Sequence, residues 1–260
     1  MKHSFLDRYS DGASLMHRLD PRTKFIAAFL LILALALTEP GRWLVYAAYF
    51  VLIAVLVLLS RVPVLYILKR SLTIIPFVLV IAVFIPFFKG GDTFAGFYIG
   101  SWRLTVSHQG LQLLGAVAAK AWLSILSLIL LMATTPMSRL LRGLEQLRLP
   151  RVMVMTLSFM YRYIFILTDE VLRMKQARDS RAVGGSRLFR IKTVGSMAGT
   201  LFIRSYERGE RVYTAMAARG YDGRTRTLRR LSFQSADLLF GAGLALVLAF
   251  ILIYNYWHWI

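Results

Sequence analysis

Apolar residues gather in five runs, about 25–38, 43–59, 71–88, 111–133 and 238–257. A helix needs about 20 apolar residues to cross the hydrocarbon core of a bilayer. The fourth and fifth runs have that length, the second and third are just long enough, and the first is short. The first two runs are joined at Thr38-Glu39-Pro40-Gly41-Arg42, which predicts a tight helical hairpin. Ala34-Leu35-Ala36 resembles a signal-peptide cleavage site. The preceding 24 residues, however, carry Asp7, Asp11 and Asp20 among five basic residues, unlike a short positive leader.

Between runs four and five the pattern changes. Residues 134–234 hold 20 Lys/Arg and 7 Asp/Glu and yet keep a helical period. Thr135-Pro136 offers an N-cap and first-turn proline for a short helix to about Leu147, and Pro150 opens a longer one. Met153, Leu157, Met160, Ile164, Leu167, Val171 and Met174 then recur at alternating spacings of four and three, an apolar stripe. Arg162, Asp169 and Arg173 lie off it, with Asp169 and Arg173 at i,i+4. A break at Val183-Gly184-Gly185-Ser186 precedes another helix, about 189–219, carrying Ile191, Val194, Ala198 and Leu201. Gly195 and Gly199, one turn apart, would let two backbones approach closely, which predicts that the two long helices cross there. The plainer alternative is a pair of surface or bundle helices with a solvated basic face.

Composition places these helices. The chain is 57% hydrophobic with a formal net charge of +19, a combination that would leave a soluble domain with large exposed apolar patches. Segments 1–24, 60–70 and 134–234 hold 28 Lys/Arg, whereas loops 39–42 and 89–110 hold 3. The positive-inside bias then puts the N-terminus and residues 134–234 in the cytoplasm and the C-terminus outside. The organisation expected is membrane helices in 1–133, a cytoplasmic region in 134–234 and a last membrane helix in 235–260. The fold class is an all-α integral membrane protein, with about five membrane helices and two to three long amphipathic cytoplasmic helices. Residues 97–110 read as an external hairpin or an interfacial turn, with Tyr98 and Trp102 suited to the interface.

Little in the chain supports catalysis. It has no cysteine, and His3, His17, His108 and His258 are scattered without ligand spacing, so no metal site and no cofactor are expected. No glycine-rich phosphate loop occurs, so any use of ATP belongs to partners. No constellation of acids, histidines or nucleophile marks a membrane enzyme. The basic surface is explained by topology and anionic lipid, without nucleic acid. Lys120, inside a membrane run, is costly there; it is a functional candidate or is paired within the bundle, with Asp237 one possible partner.

The sharper chemistry lies at two helix ends. In Ala218-Arg219-Gly220 the alanine admits a close partner surface. The arginine offers a planar fork for a carboxylate, and the glycine can end a helix in the left-handed conformation. Ala177-Arg178-Asp179-Ser180-Arg181 echoes it at the end of the earlier stripe. Either is also an ordinary basic helix end.

Order and spacing together point further. His17-Arg18-Leu19-Asp20-Pro21-Arg22-Thr23-Lys24 resembles the opening motif of the transmembrane (T) component of energy-coupling factor (ECF) transporters, cobalt type. Here Asp20 would cap and Pro21 start the first membrane helix, while Arg22 and Lys24 anchor it to headgroups. Leu149-Pro150 through Tyr161-Arg162-Tyr163, Asp169-Glu170 and Ala177-Arg178 resembles that family's long coupling helix, and Met216-Ala217-Ala218-Arg219-Gly220-Tyr221 its second Ala-Arg-Gly motif. The resemblance covers essentially the whole chain. It implies a non-catalytic subunit of a bacterial or archaeal cytoplasmic membrane, joining two ATP-binding-cassette ATPases to a substrate-capture (S) membrane subunit. It also implies that Ala177, Arg178, Ala218, Arg219 and Gly220 contact the ATPases, with Arg181 sharing or replacing Arg178. The first motif departs from the pattern, since Asp179 stands where glycine is expected. A transition-metal cation such as cobalt is the implied cargo; a vitamin such as biotin fits the residues equally. A lipid-binding scaffold with no transport role is the remaining alternative.

Overall fold

The computed structural model describes residues 12, 14–85, 93–99, 102–181, 186–223 and 233–257. It forms two compact units, residues 2–143 with 231–260, and residues 144–230. His3, His258, Lys89 and the break at Val183-Gly184-Gly185 lie outside the described residues.

The first unit contains helices α1 (Leu15–Arg18), α2 (Pro21–Leu37), α3 (Trp43–Ser60), α4 (Val64–Ala82), α5 (His108–Thr134), the start of α6 (Met137–Gln146), and α9 (Ser235–Trp257). Strands β1 (Thr93–Ile99) and β2 (Trp102–Ser107) form an antiparallel ribbon, with Ile99 opposite Trp102, so the segment expected as hairpin or turn is a hairpin. Apart from this ribbon and short connecting turns, the described residues of this unit are helical.

Local chemistry sets the ends. The Asp20 carboxylate accepts the Arg22 N–H at 2.9 Å and Pro21 occupies the first turn, which starts α2. The Thr38 hydroxyl donates to the Ala34 carbonyl at 2.9 Å where α2 stops, and the Tyr46 hydroxyl donates to the Glu39 carbonyl at 3.0 Å across the hairpin turn. Helix α4 begins at Val64 rather than near residue 71. Lys69 and Arg70 therefore belong to its first two turns, and Arg70 donates to the Tyr66 hydroxyl at 2.5 Å. The apolar run alone concealed those turns, because long basic side chains reach polar surroundings while their backbone stays helical.

Helix α5 packs against α2, α3 and α4, and α9 against α2 and α3. Leu31, Leu35, Tyr49, Ile53, Leu123 and Leu248 are among the core residues. A Cβ on Gly115 would lie 2.6 Å from the tip of the Trp43 ring, so a larger residue there would push that ring aside. Outward residues such as Phe29, Leu33, Phe50, Leu246 and Phe250 are as apolar as inward ones. Helices apolar all round suit lipid, where close packing rather than apolar burial drives association. Among the described residues α3, α5, α9 and α7 (Arg151–Arg181), the last expected as a cytoplasmic arm, are long and apolar enough to cross a membrane; α2, with 17 residues, is shorter, and α4, which carries Lys69 and Arg70, is not among them.

Lys24 departs from expectation, while Lys120 is paired within the bundle, with a partner other than Asp237. Lys24 is not a headgroup anchor: it is 5% exposed, and its ammonium donates to the Thr134 carbonyl at 3.1 Å and the Thr135 hydroxyl at 3.3 Å. Lys120 does not use Asp237. It donates to the Ala36 carbonyl at 3.0 Å, at the C-terminal end of α2, where carbonyls lack helical partners and the dipole favours a cation.

The second unit holds α7 (Arg151–Arg181) and α8 (Arg187–Ala218). The Pro150 carbonyl accepts from Met153 and Val154, and the Ser186 hydroxyl accepts from the Phe189 N–H at 3.3 Å, which starts each helix as its sequence predicts. No residue of α8 is buried, and Leu188, Phe189, Ile191, Phe202 and Ile203 lie exposed along it.

Candidate functional site

The two arginine motifs occupy this second unit. Around Gly220 the chain makes a double turn: Gly220 N–H donates to the Ala217 carbonyl at 3.0 Å and Tyr221 N–H to the Met216 carbonyl at 3.1 Å. Those two bonds are a Schellman motif, which requires a left-handed residue, and Gly220 has φ +75°. Ala218 is thus the last helical residue and Arg219 the C-cap, with Arg219 exposed and in no ion pair with the described residues. A Cβ on Gly220 would meet nothing within 4 Å, so the glycine is required by conformation and not by space.

The first motif is built differently. Ala177 and Arg178 are inside α7, which runs on to Arg181. Both Nε and Nη2 of Arg178 donate to Oδ1 of Asp179, at 2.9 and 2.7 Å. The residue standing where glycine was expected therefore occupies the fork that a partner carboxylate would need. Arg181, three residues on, is exposed.

What sets the distance between the motifs is the pairing of α7 with α8. Glu170 binds Arg173 on its own helix at 2.7 Å and Arg204 on α8. The Tyr221 hydroxyl reaches the sulfur of Met155. Residue numbers fall along one helix as they rise along the other, so the helices run antiparallel. Met155 and Arg178 are 23 residues apart on α7, about 35 Å at 1.5 Å per residue. Because Tyr221 touches Met155, Arg219 and Arg178 are separated by a similar length.

The expected crossing at Gly195 and Gly199 is not found there. A Cβ on either would meet nothing within 4 Å, and the helices meet instead through Glu170, Arg204, Tyr221 and Met155. Long polar side chains span a gap that a glycine contact would have to close. The Glu170 carboxyl is held below its ordinary value by hydrogen bonds from Arg173 and Arg204. The link therefore persists at neutral pH and is lost only as pH falls through that lowered value. Sequence reading missed this anchor and Tyr221. The signal for Tyr221 was its place directly after the glycine, where a Schellman turn presents an apolar contact.

Neither of two cavities in the first unit is lined by a carboxylate or an imidazole. One, beside Lys24 and Ser127, has about 30 Å³, room for a water molecule. The other, about 200 Å³, is lined by Ile75, Val78, Leu79, Ala118, Ala119, Trp122 and Ile125, an apolar groove. Among the described residues no group of three metal-ligating side chains comes together.

Comparison with known proteins accounts for both units at once. The family described as Cobalt transport protein, CbiQ, matches residues 12–229. The energy-coupling factor transporter transmembrane protein EcfT of Listeria innocua is 34% identical over 253 residues, covering 91% of this chain and 92% of that protein. EcfT of Ruminiclostridium cellulolyticum is 31% identical over 252 residues, 90% of each chain. A putative fused cobalt transport protein, CbiMQ, of Methanocorpusculum labreanum is 29% identical over 194 residues, 73% of this chain and 32% of that longer protein. With its apolar helices, its antiparallel arms and a family match that runs through both, this multi-pass membrane protein belongs to the CbiQ family of transport proteins, alongside the EcfT transmembrane components of energy-coupling factor transporters.

Proposed function

We propose that this chain is the coupling subunit of an ATP-driven importer, working in a bacterial or archaeal cytoplasmic membrane. The observation that carries the reading is a pair of arginine-bearing motifs about 35 Å apart on one antiparallel helix pair. Each motif docks in an acidic groove of one of two ATP-binding-cassette subunits, and their closure on ATP displaces the helix pair. The exposed apolar residues of α7 and α8 offer a surface to the substrate-capture subunit, which tilts or releases as the pair moves. A transition-metal cation, cobalt among them, is the proposed cargo, supported by the family description and the fused CbiMQ relative. The EcfT relatives carry no cargo in their names, so a vitamin importer is the second reading.

The test is reconstitution. The purified chain is expected to hydrolyse no ATP by itself, and to support ATP-dependent uptake once joined to a cognate ATPase pair and capture subunit. Nucleotide turnover by the isolated chain would remove the reading. A protein that binds anionic vesicles but recruits no ATPase would be the lipid scaffold instead. Topology offers an independent check, since the chain has no native cysteine. Ser186→Cys, between the two arms, should resist an impermeant thiol reagent applied outside intact cells and react after permeabilisation. Labelling from outside would reverse the proposed orientation.

A further inference from the structure

The opening segment Asp20–Lys24 does more than start a helix. Asp20 N–H donates to Oδ1 of Asp237 at 2.7 Å, while Oδ2 of Asp237 accepts the Gln234 N–H at 2.8 Å. One carboxylate thus ties the N-terminal ends of α2 and α9 together, although they are separated by 217 residues. Asp20 itself accepts from the Arg22 N–H, and its carboxylate lies 3.8 Å from the Arg22 guanidinium. Lys24, one turn further, fastens Thr134 and Thr135, the corner where α5 ends and the chain turns into α6. Gly143 of α6 rests on the same segment: a Cβ there would fall 3.3 Å from Pro21 Cβ and 3.4 Å from the Arg22 nitrogen.

Three charges of this cluster sit at compatible helix ends; the Arg22 guanidinium, in the first turn of α2, does not, and its Nε and the Asp20 Oδ2 are buried without a hydrogen bond among the described residues. The two carboxylates occupy N-termini and the ammonium meets the last carbonyl of α5. Asp20 and Lys24 are 5% exposed and Asp237 is 2% exposed, so water contributes little to any of them. Removing one member of such a buried set leaves its partners uncompensated. The bonds join α2, α9 and the end of α5 at one place, Gly143 of α6 packs on the same segment, and the chain continues from α6 into α7.

We propose that Asp20, Lys24 and Asp237 are positioning residues. They form a clasp that makes α2, α9 and the α5–α6 corner one rigid mount. Displacement of the arms is then transmitted to the membrane helices instead of being absorbed at the corner. This rests on the coupling reading above, and the experiment separates the two. The readout is cargo moved per ATP hydrolysed by the reconstituted complex, with ATPase capture measured alongside. Lys24→Met should leave ATPase capture and basal ATP turnover near wild type. Cargo moved per ATP should fall roughly tenfold, the weight of one charge-assisted hydrogen bond.

A cross-link supplies the decisive arm. The Pro21 and Gly143 Cβ positions are close to disulfide range, which is about 3.5–4.5 Å, and the chain has no other cysteine. Pro21→Cys with Gly143→Cys, oxidised, should transport as well as its reduced form, because a rigid corner loses nothing on being locked. In the Lys24→Met background oxidation should restore the lost coupling and a reductant abolish it again. If oxidation stops transport in the otherwise native chain, the corner moves during the cycle and the clasp is not a rigid mount. Unchanged coupling in Lys24→Met would equally overturn it. Should Lys24→Met fail to insert, the oxidised pair in the native background still decides. Failure of the wild-type complex to couple at all would instead remove the importer reading itself.

Discussion

Arg219→Ala is expected to uncouple or disassemble the transport complex while the protein still inserts in the membrane. Its exposed guanidinium sits on a helix end of fixed geometry, with no ion pair among the described residues. If it docks in an acidic groove, truncation removes one partner of a partly desolvated charge pair, at a cost of about 2–5 kcal/mol. Arg219→Lys should recover only part of that, because an ammonium lacks the planar fork. Arg226→Ala, in a basic stretch past the motif, is the control and should be nearly silent. Arg178→Ala should do less, for a reason internal to the chain: Asp179 already holds the Arg178 fork. Arg181 is exposed and placed to take over, so the double change of Arg178 and Arg181 to Ala should exceed either single one. Transport and assembly by Arg219→Ala at wild-type level would reduce the motif to an ordinary helix cap.

Gly220→Val should produce the second large loss. With φ at +75°, the position forces a branched side chain into a left-handed backbone, at about 1–2 kcal/mol or more. The strain is relieved by giving up the two bonds from Gly220 and Tyr221, and the Tyr221–Met155 contact goes with them. Arg219 then loses its fixed direction without losing its charge. Hydrogen exchange at residues 216–221 should quicken, and ATPase capture should weaken nearly as much as in Arg219→Ala. Gly220→Asn, which tolerates the same backbone better, should fall between. Fast exchange with undiminished capture would show that the direction of Arg219 does not matter.

The sequence made the membrane helices and the second motif legible for the same physical reason: both are local. An apolar run is its own signal in lipid, and the Schellman turn at Gly220 involves only residues 216–221. Lys24 was misread because a basic residue near the start of a membrane helix ordinarily meets headgroups. Its acceptors, Thr134 and Thr135, are 110 and 111 residues away. Gly195 and Gly199 misled in the opposite way. Their spacing permits close approach but cannot demand it, and the partner helix found a polar link at Glu170 and Arg204 instead. Asp179 was visible as a departure from the pattern. Its consequence, an occupied guanidinium, depends on the side-chain conformations of Arg178 and Asp179, which the pattern of residues does not specify.

Two of the contacts between α7 and the arm formed by α8 and its C-terminal turn have a mechanical meaning. Met155 and Glu170 are 15 residues apart, so the contacts lie about 22 Å from each other along α7. A single pivot would let the helices scissor, and a few ångströms of push at either end would vanish into a change of angle. Two fastenings turn the pair into a strut, which can only swing as a whole. For a beam of about 35 Å, a swing of about 10° around its middle carries each end about 3 Å in opposite senses. Loosening either fastening would turn the strut back into scissors, and a push at one end would no longer reach the other.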